Sequence, residues 1–117
     1  MQIGEDRRDG IWVVTPVGRV DSTTSGELEQ RLLAQVGSGE RCVVVDMAGI
    51  EYISSAGLRV FLRLARKLKD AGGTLALYAM GEPVRQVFEL AGFLPLFAIE
   101  ASRELAIARL EEKRSSR

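Results

Sequence analysis

The chain has 117 residues, 46% of them apolar and 27% charged, with 16 Lys and Arg set against 16 Asp and Glu. That is enough chain for one domain and not for two, the composition is that of a globular protein, and the neutral balance offers no electrostatic footprint for nucleic acid. Histidine is absent, which removes Ser-His-Asp and Cys-His catalysis, histidine phosphotransfer and histidine-ligated metal sites together. The one cysteine, Cys42, cannot form an internal disulfide and sits in a valine-rich run that suits a buried thiol. The N-terminal MQIGEDRRDG is charged and lacks the apolar stretch of a secretory signal. No apolar run approaches the roughly 18 residues needed to cross a bilayer. The expected compartment is the cytoplasm, without membrane insertion.

In chain order, Asp9-Gly10 is a tight-turn signal between two strands, Met1 to Arg8 and the more apolar Ile11 to Val17. Pro16 cannot donate a ladder hydrogen bond and is expected to mark that strand's end or a free edge. Asp21-Ser22-Thr23-Thr24-Ser25 opens a helix, with Thr24 and Glu27 spaced as a capping box. Leu28, Leu32 and Val36 recur along one face of it, and Gly37 is its stop. Arg41 to Asp46 is apolar on both faces, as a central strand covered by helices should be. A short loop carrying Ser54 and Ser55 leads into a second helix, whose stripe is Leu58, Phe61, Leu62, Ala65 and Leu68 and whose stop is Gly72-Gly73. Thr74 to Ala79 is a strand. Pro83 opens a short helix with Val84, Val87, Phe88 and Ala91 inward and Gly92 at its end. Leu96 to Ile99 is a last strand, and Ser102 caps a terminal helix through Leu110. The order β-β-α-β-α-β-α-β-α predicts an α/β domain, a mixed sheet of about five strands with about four helices covering its parallel crossovers.

The residues able to carry chemistry gather around Ser54 and Ser55. Lying between a strand and a helix start, these hydroxyls are exposed and close to the positive end of a helix dipole. One can cap the helix while the other stays free. A phosphate on Ser55 would bring nearly two negative charges, which the helix N-terminus offsets and which Arg59, one turn on, can approach. Asp21 and Asp46 each follow a strand and read either as loop-capping carboxylates or as neighbours of the serine site. Two carboxylates alone do not make a catalytic pair. Arg59, Arg63, Arg66, Lys67 and Lys69, against Asp70 alone, make the second helix basic: a solvated face, or a docking surface for an acidic protein. No GxGxxG or GxxxxGK loop is present, so ATP hydrolysis has no anchor, and no cofactor is expected.

Ile53-Ser54-Ser55-Ala56-Gly57-Leu58 resembles the serine loop of the STAS domains of bacterial anti-sigma factor antagonists. The likeness runs through Val17-Gly18-Arg19-Val20-Asp21, through Val43-Val44-Val45-Asp46 with Ile50, Tyr52 and Ile53, and on to Gly72-Gly73, Val84, Val87, Phe88 and Ala91-Gly92. It implies a single STAS domain over residues 1–112, with 113–117 a frayed polar tail. It also implies partner switching. In that family an unphosphorylated antagonist binds an anti-sigma factor that is also a serine kinase, which frees a sigma factor. The kinase then phosphorylates the loop serine from ATP and dissolves the complex, and a PP2C-type phosphatase resets it. Against the family's D-S-[ST]-G-L pattern, aligned on Gly57-Leu58, Ser55 takes the acceptor position. Ser54 replaces the aspartate and is the alternative acceptor, and Ala56 replaces the third hydroxyl. The implied partner surface is Asp21, Ser54, Ser55, Gly57, Leu58 and Arg59, on a non-catalytic chain that is monomeric when free, since no helix has an apolar stripe left over. A STAS module docked constitutively in a lipid-transport or stress-signalling assembly would use Ser55 only as a cap. A serine hydrolase would need a histidine, or a lysine base near the serines, and the sequence supplies neither.

Overall fold

The Asp9-Gly10 turn starts the fold. In the structure, a computed structural model that describes residues 1–115, β1 (Gln2–Arg8) and β2 (Ile11–Val20) pair antiparallel with Arg8 opposite Ile11, leaving Asp9 and Gly10 as the loop. Both have positive φ, 54° and 81°, the combination a type I′ hairpin turn requires.

β2 is longer than the sequence suggested, because Pro16 does not end it. Trp12–Val14 pair in parallel with β3 (Cys42–Asp46), and Gly18–Val20 pair in parallel with β4 (Ile50–Ile53). Pro16 is buried and falls between these two ladders, where the strand changes neighbour, so it lies neither at a strand end nor on a free edge. Gly18, at φ +124°, and a register shift before Arg19 make the bulge that re-aims the strand. β4 is the strand the sequence did not announce. Ile50 and Ile53 are buried while Glu51 and Tyr52 face out, and Gly49 packs so close to β2 that a Cβ there would meet the Pro16 carbonyl at 2.9 Å. The sheet therefore has six strands rather than five: β1-β2-β3-β5-β6, with β4 beside β2. β5 (Thr74–Tyr78) and β6 (Ala98–Glu100) are both parallel to their inner neighbours. Pro95 and its neighbours form a 3-10 turn over Leu94–Leu96, so β6 starts later than the expected Leu96.

Three helices, α1 (Ser25–Gly37), α2 (Ser55–Asp70) and α3 (Glu82–Leu90), bury their apolar faces in one core with Trp12, Val14, Val43 and Val45. α1 does so through Leu28, Leu32 and Val36, as its spacing predicts. In α2 the buried residues are Leu58, Val60, Phe61, Leu64 and Leu68, while Leu62 and Ala65 are only half-buried. The helix is thus rotated from the expected stripe. α3 buries Val84 and Phe88, and Ala91 is exposed at its C-cap.

α4 (Arg103–Ser115) covers the opposite sheet face, packing Ala106, Ile107 and Leu110 on Ile11, Val13, Val44 and Ala76. The Ser102 hydroxyl accepts from the Leu105 N–H at 3.3 Å, the expected cap. The helix continues past Leu110, so residues 113–115 are helical rather than frayed; the rest of the expected tail, residues 116–117, lies outside the described residues. No helix among the described residues is long and apolar enough to cross a membrane.

Phe88 is fully buried between Phe61, with ring centroids 6.2 Å apart, and Phe97, at 5.5 Å and nearly edge-on. Phe88→Ala should lower the unfolding free energy by about 3–5 kcal/mol, read as a lower urea midpoint at unchanged slope.

Candidate functional site

β4 ends at Ile53 and α2 begins at Ser55, so Ser54 is the joint between them. Its backbone is extended (φ −95°, ψ 177°), and its N–H donates to the Val20 carbonyl at 2.9 Å. Its hydroxyl accepts from the Gly57 N–H at 3.3 Å, and its carbonyl accepts from the Leu58 N–H at 2.9 Å. Ser54 is the N-cap, with its hydroxyl occupied by that task. Ser55 is the first helical residue and is exposed, and its hydroxyl has no hydrogen-bond partner among the described residues. The two serines that the sequence could not separate are thus distinct: one caps, the other is free.

Gly57 is required by close approach. A Cβ there would lie 2.7 Å from Ile53 Cγ1 and 2.8 Å from both Val20 Cγ1 and the Val20 carbonyl. The first turn of α2 can rest on the end of β2 only without that atom.

Leu58 is 4% exposed and packs in the core, so its side chain is not part of a partner rim; the buried face of α2 claims it. Gly57 is buried too and acts through its backbone. Arg59 is exposed, with no ion pair among the described residues. It borders a cleft of about 180 Å³ between the first turns of the two helices, formed with Ser25 and Glu29 of α1 and Ala56 and Arg63 of α2. Arg63 spans this cleft by pairing with Glu29.

Asp21 lies at the end of β2, beside the serine loop through the Val20–Ile53 register. Its Oδ1 accepts from the Thr23 hydroxyl at 2.7 Å, the Thr23 N–H at 3.0 Å and the Thr24 N–H at 3.3 Å. These bonds, the Thr23 hydroxyl foremost, hold the carboxyl below the ordinary aspartate range. The expected capping box does not form. The Thr24 hydroxyl donates instead to the Arg19 carbonyl at 2.7 Å and accepts from the Asp21 N–H at 3.0 Å, so Asp21 and Arg19 have taken the group that would have capped α1.

Asp46 does not neighbour the serines. Along β3, Val43 and Val45 face α2's core while Cys42 and Val44 face α4's, so alternation places Asp46 on the α4 side. There it accepts from the Ala48 N–H at 2.9 Å and lies opposite Tyr78, whose hydroxyl accepts from Arg103 Nε at 3.0 Å. Asp46 is a turn carboxylate near the seat of α4. Among the described residues no group of three or more His, Cys, Asp and Glu side chains could hold a metal ion.

Two residues of the surface escaped the sequence reading. The Arg19 guanidinium stacks 4.3 Å above the Tyr52 ring, and its Nε is 3.8 Å from Asp21 Oδ2. Tyr52 is 41% exposed, and with Arg19 it extends the serine surface by a cation–π pair. A tyrosine on the outward side of the Ile50/Ile53 alternation was the available signal.

The family model of the STAS domain matches residues 3–106. The chain belongs to the STAS family. Over 108 residues it is 44% identical to BtrV of Bordetella bronchiseptica, named a putative anti-sigma factor antagonist, covering 92% of this chain and 93% of that one. Among solved structures, one described as a putative anti-sigma factor antagonist of Thermotoga maritima superposes with a TM-score of 0.89 at 16% identity, over 93% of this chain and 94% of the other. The anti-sigma factor antagonist SpoIIAA of Bacillus superposes at 0.82 in its unphosphorylated form, over 95% and 97% of the chains, and at 0.72 in its phosphorylated form, over 92% and 98%, both at 19% identity. These likenesses show a shared fold, and the relation to BtrV places this STAS domain within the antagonist family.

Ser54→Ala should cost about 1 kcal/mol through the lost cap, whereas Ser55→Ala should stay within about 0.5 kcal/mol of the parent, both by chemical denaturation. Because the Asp21 carboxyl is held below its unfolded value of about 3.9, the carboxylate's contribution is present above that pH and is lost as pH falls through the lowered folded value. Asp21→Asn should therefore flatten the acid limb of a stability–pH curve.

Proposed function

We propose that this STAS protein is a phosphorylatable anti-sigma factor antagonist of the cytoplasm, with no catalytic activity of its own. Unphosphorylated, and monomeric when free, it binds an anti-sigma factor that is also a serine kinase. Phosphorylation of Ser55 releases it, a PP2C-type phosphatase resets it, and the exchange regulates transcription through the freed sigma factor. The observation that carries the reading is the division of labour between the serines. Ser54 supplies the helix cap, and Ser55, at the first helical position, presents a free hydroxyl.

The Ser55 oxygen attacks the γ-phosphorus of ATP and gives up its proton to a base of the kinase, an O–P bond forms, the bond to the β–γ bridging oxygen breaks, and ADP leaves. Resetting cleaves the new phosphoester with water and releases inorganic phosphate. The backbone N–H groups of Ser55 and Ala56 have no partner among the described residues, so a phosphate there meets donors and the positive helix end. The fold survives and the surface changes sign.

The partner surface comprises Asp21, Ser54, Ser55 and Arg59 with the Gly57 backbone, extended by Arg19 and Tyr52; Leu58 supports it from the core. The name of BtrV and the existence of SpoIIAA in both phosphorylation states support the reading. Incubated with ATP and the cognate serine kinase, the protein should gain one phosphate, mapped by phosphopeptide mass spectrometry to Ser55 and absent in Ser55→Ala. Ser55→Asp should lose binding to that kinase while its Tm moves by no more than about 4 °C, the shift of about 1 kcal/mol in a domain of this size. A phosphopeptide at Ser54 would reassign the acceptor. Retained tight binding by Ser55→Asp would favour constitutive docking instead.

A further inference from the structure

α2 has more apolar surface than the core uses. Leu62 and Ala65 are half-buried and, with Leu75 and Phe97, wall a hollow of about 510 Å³ between the C-terminal half of α2 and the strands β5 and β6. Arg66 and Lys69 of α2 and Lys113 of α4 border it, and none of the three has an ion-pair partner among the described residues. Among the described residues no Asp or Glu lines it. The hollow begins seven residues after Ser55 along α2, roughly 10 Å at the helical rise, and is a place apart from the serine surface.

We propose that this hollow binds a small single-chain anionic amphiphile, its alkyl body between α2 and β6 and its carboxylate or similar head among Arg66, Lys69 and Lys113. Each feature narrows the occupant. The apolar walls call for an apolar body, and three cations with no ion-pair partner and no lining acid among the described residues favour an anionic over a cationic head. The volume lies in the range of about 300–1,000 Å³ typical of small-ligand sites. A docked protein would need about 800 Å² of surface per partner, far more than one hollow supplies.

The test uses the full-length protein and decanoate below its micellar concentration, followed by titration calorimetry and by amide NMR shifts. We expect saturable 1:1 binding, with shifts confined to residues 62–69, the start of β5 and the segment 96–98. Ala65→Trp fills the hollow and should abolish binding. Lys69→Glu, an exposed change that leaves the core untouched, should weaken it at least tenfold. Decyltrimethylammonium should not compete. Absence of saturable binding, equal affinity for the cationic amphiphile, or unchanged affinity in Lys69→Glu would overturn the proposal.

Discussion

The contact on which the serine loop depends is that of Gly57 with Val20. The Val20 carbonyl accepts the Ser54 N–H at 2.9 Å and lies 2.8 Å from where a side chain on residue 57 would begin. One peptide group thereby fixes both the last residue before α2 and the depth at which its first turn sits. Val20 is in place because β2 continues past Pro16, bulges at Gly18 and takes β4 as a new parallel neighbour. The orientation of Ser55 is therefore a property of the sheet, transmitted through a glycine, and the loop between β4 and α2 has little freedom of its own.

Much of this was legible, and the failures are physical. The hairpin could be read from Asp9-Gly10 alone, because a type I′ turn makes a local demand that few dipeptides meet. α1 and β3 were legible because their apolar spacing admits one face, or both. β4 was not, since four residues carry too little period and the strand exists only by virtue of the extension of β2. In α2, residues 58, 60, 61, 62, 64, 65 and 68 are all apolar, so spacing could not choose between a face centred on Leu62 and Ala65 and one centred on Val60 and Leu64. Packing chose the second. At Thr24 the capping-box spacing was present, but the Arg19 carbonyl and the Asp21 N–H claimed the hydroxyl first. At the candidate site, the sequence located the serine pair and Asp21 and gave Leu58 both to the apolar stripe and to the partner surface; only the structure could separate cap from free hydroxyl, keep Leu58 to the core and set Asp46 on the far face.

Charge and core divide the work. The ion pairs join exposed or partly exposed side chains, such as Arg63 with Glu29 between α2 and α1, and pairs of this kind contribute about 1 kcal/mol or less each. Stability rests on the two apolar layers either side of the sheet. The cations of α2 without an ion-pair partner among the described residues, Arg59 near its start and Arg66, Lys67 and Lys69 near its end, are thereby available for recognition.

The same division explains how a single phosphate on Ser55 could act as a switch. A negative charge at a helix N-terminus is favourable by about 0.3–1 kcal/mol at an exposed site, too little to reorganise a domain held by two buried cores. A like charge set against it across a closed interface costs several kcal/mol, equivalent to a hundredfold or more in affinity at about 1.4 kcal/mol per factor of ten. Such a modification would be nearly silent for folding and decisive for binding, because the helix end already offers its N–H groups to solvent, whereas a docked partner would have to cover them.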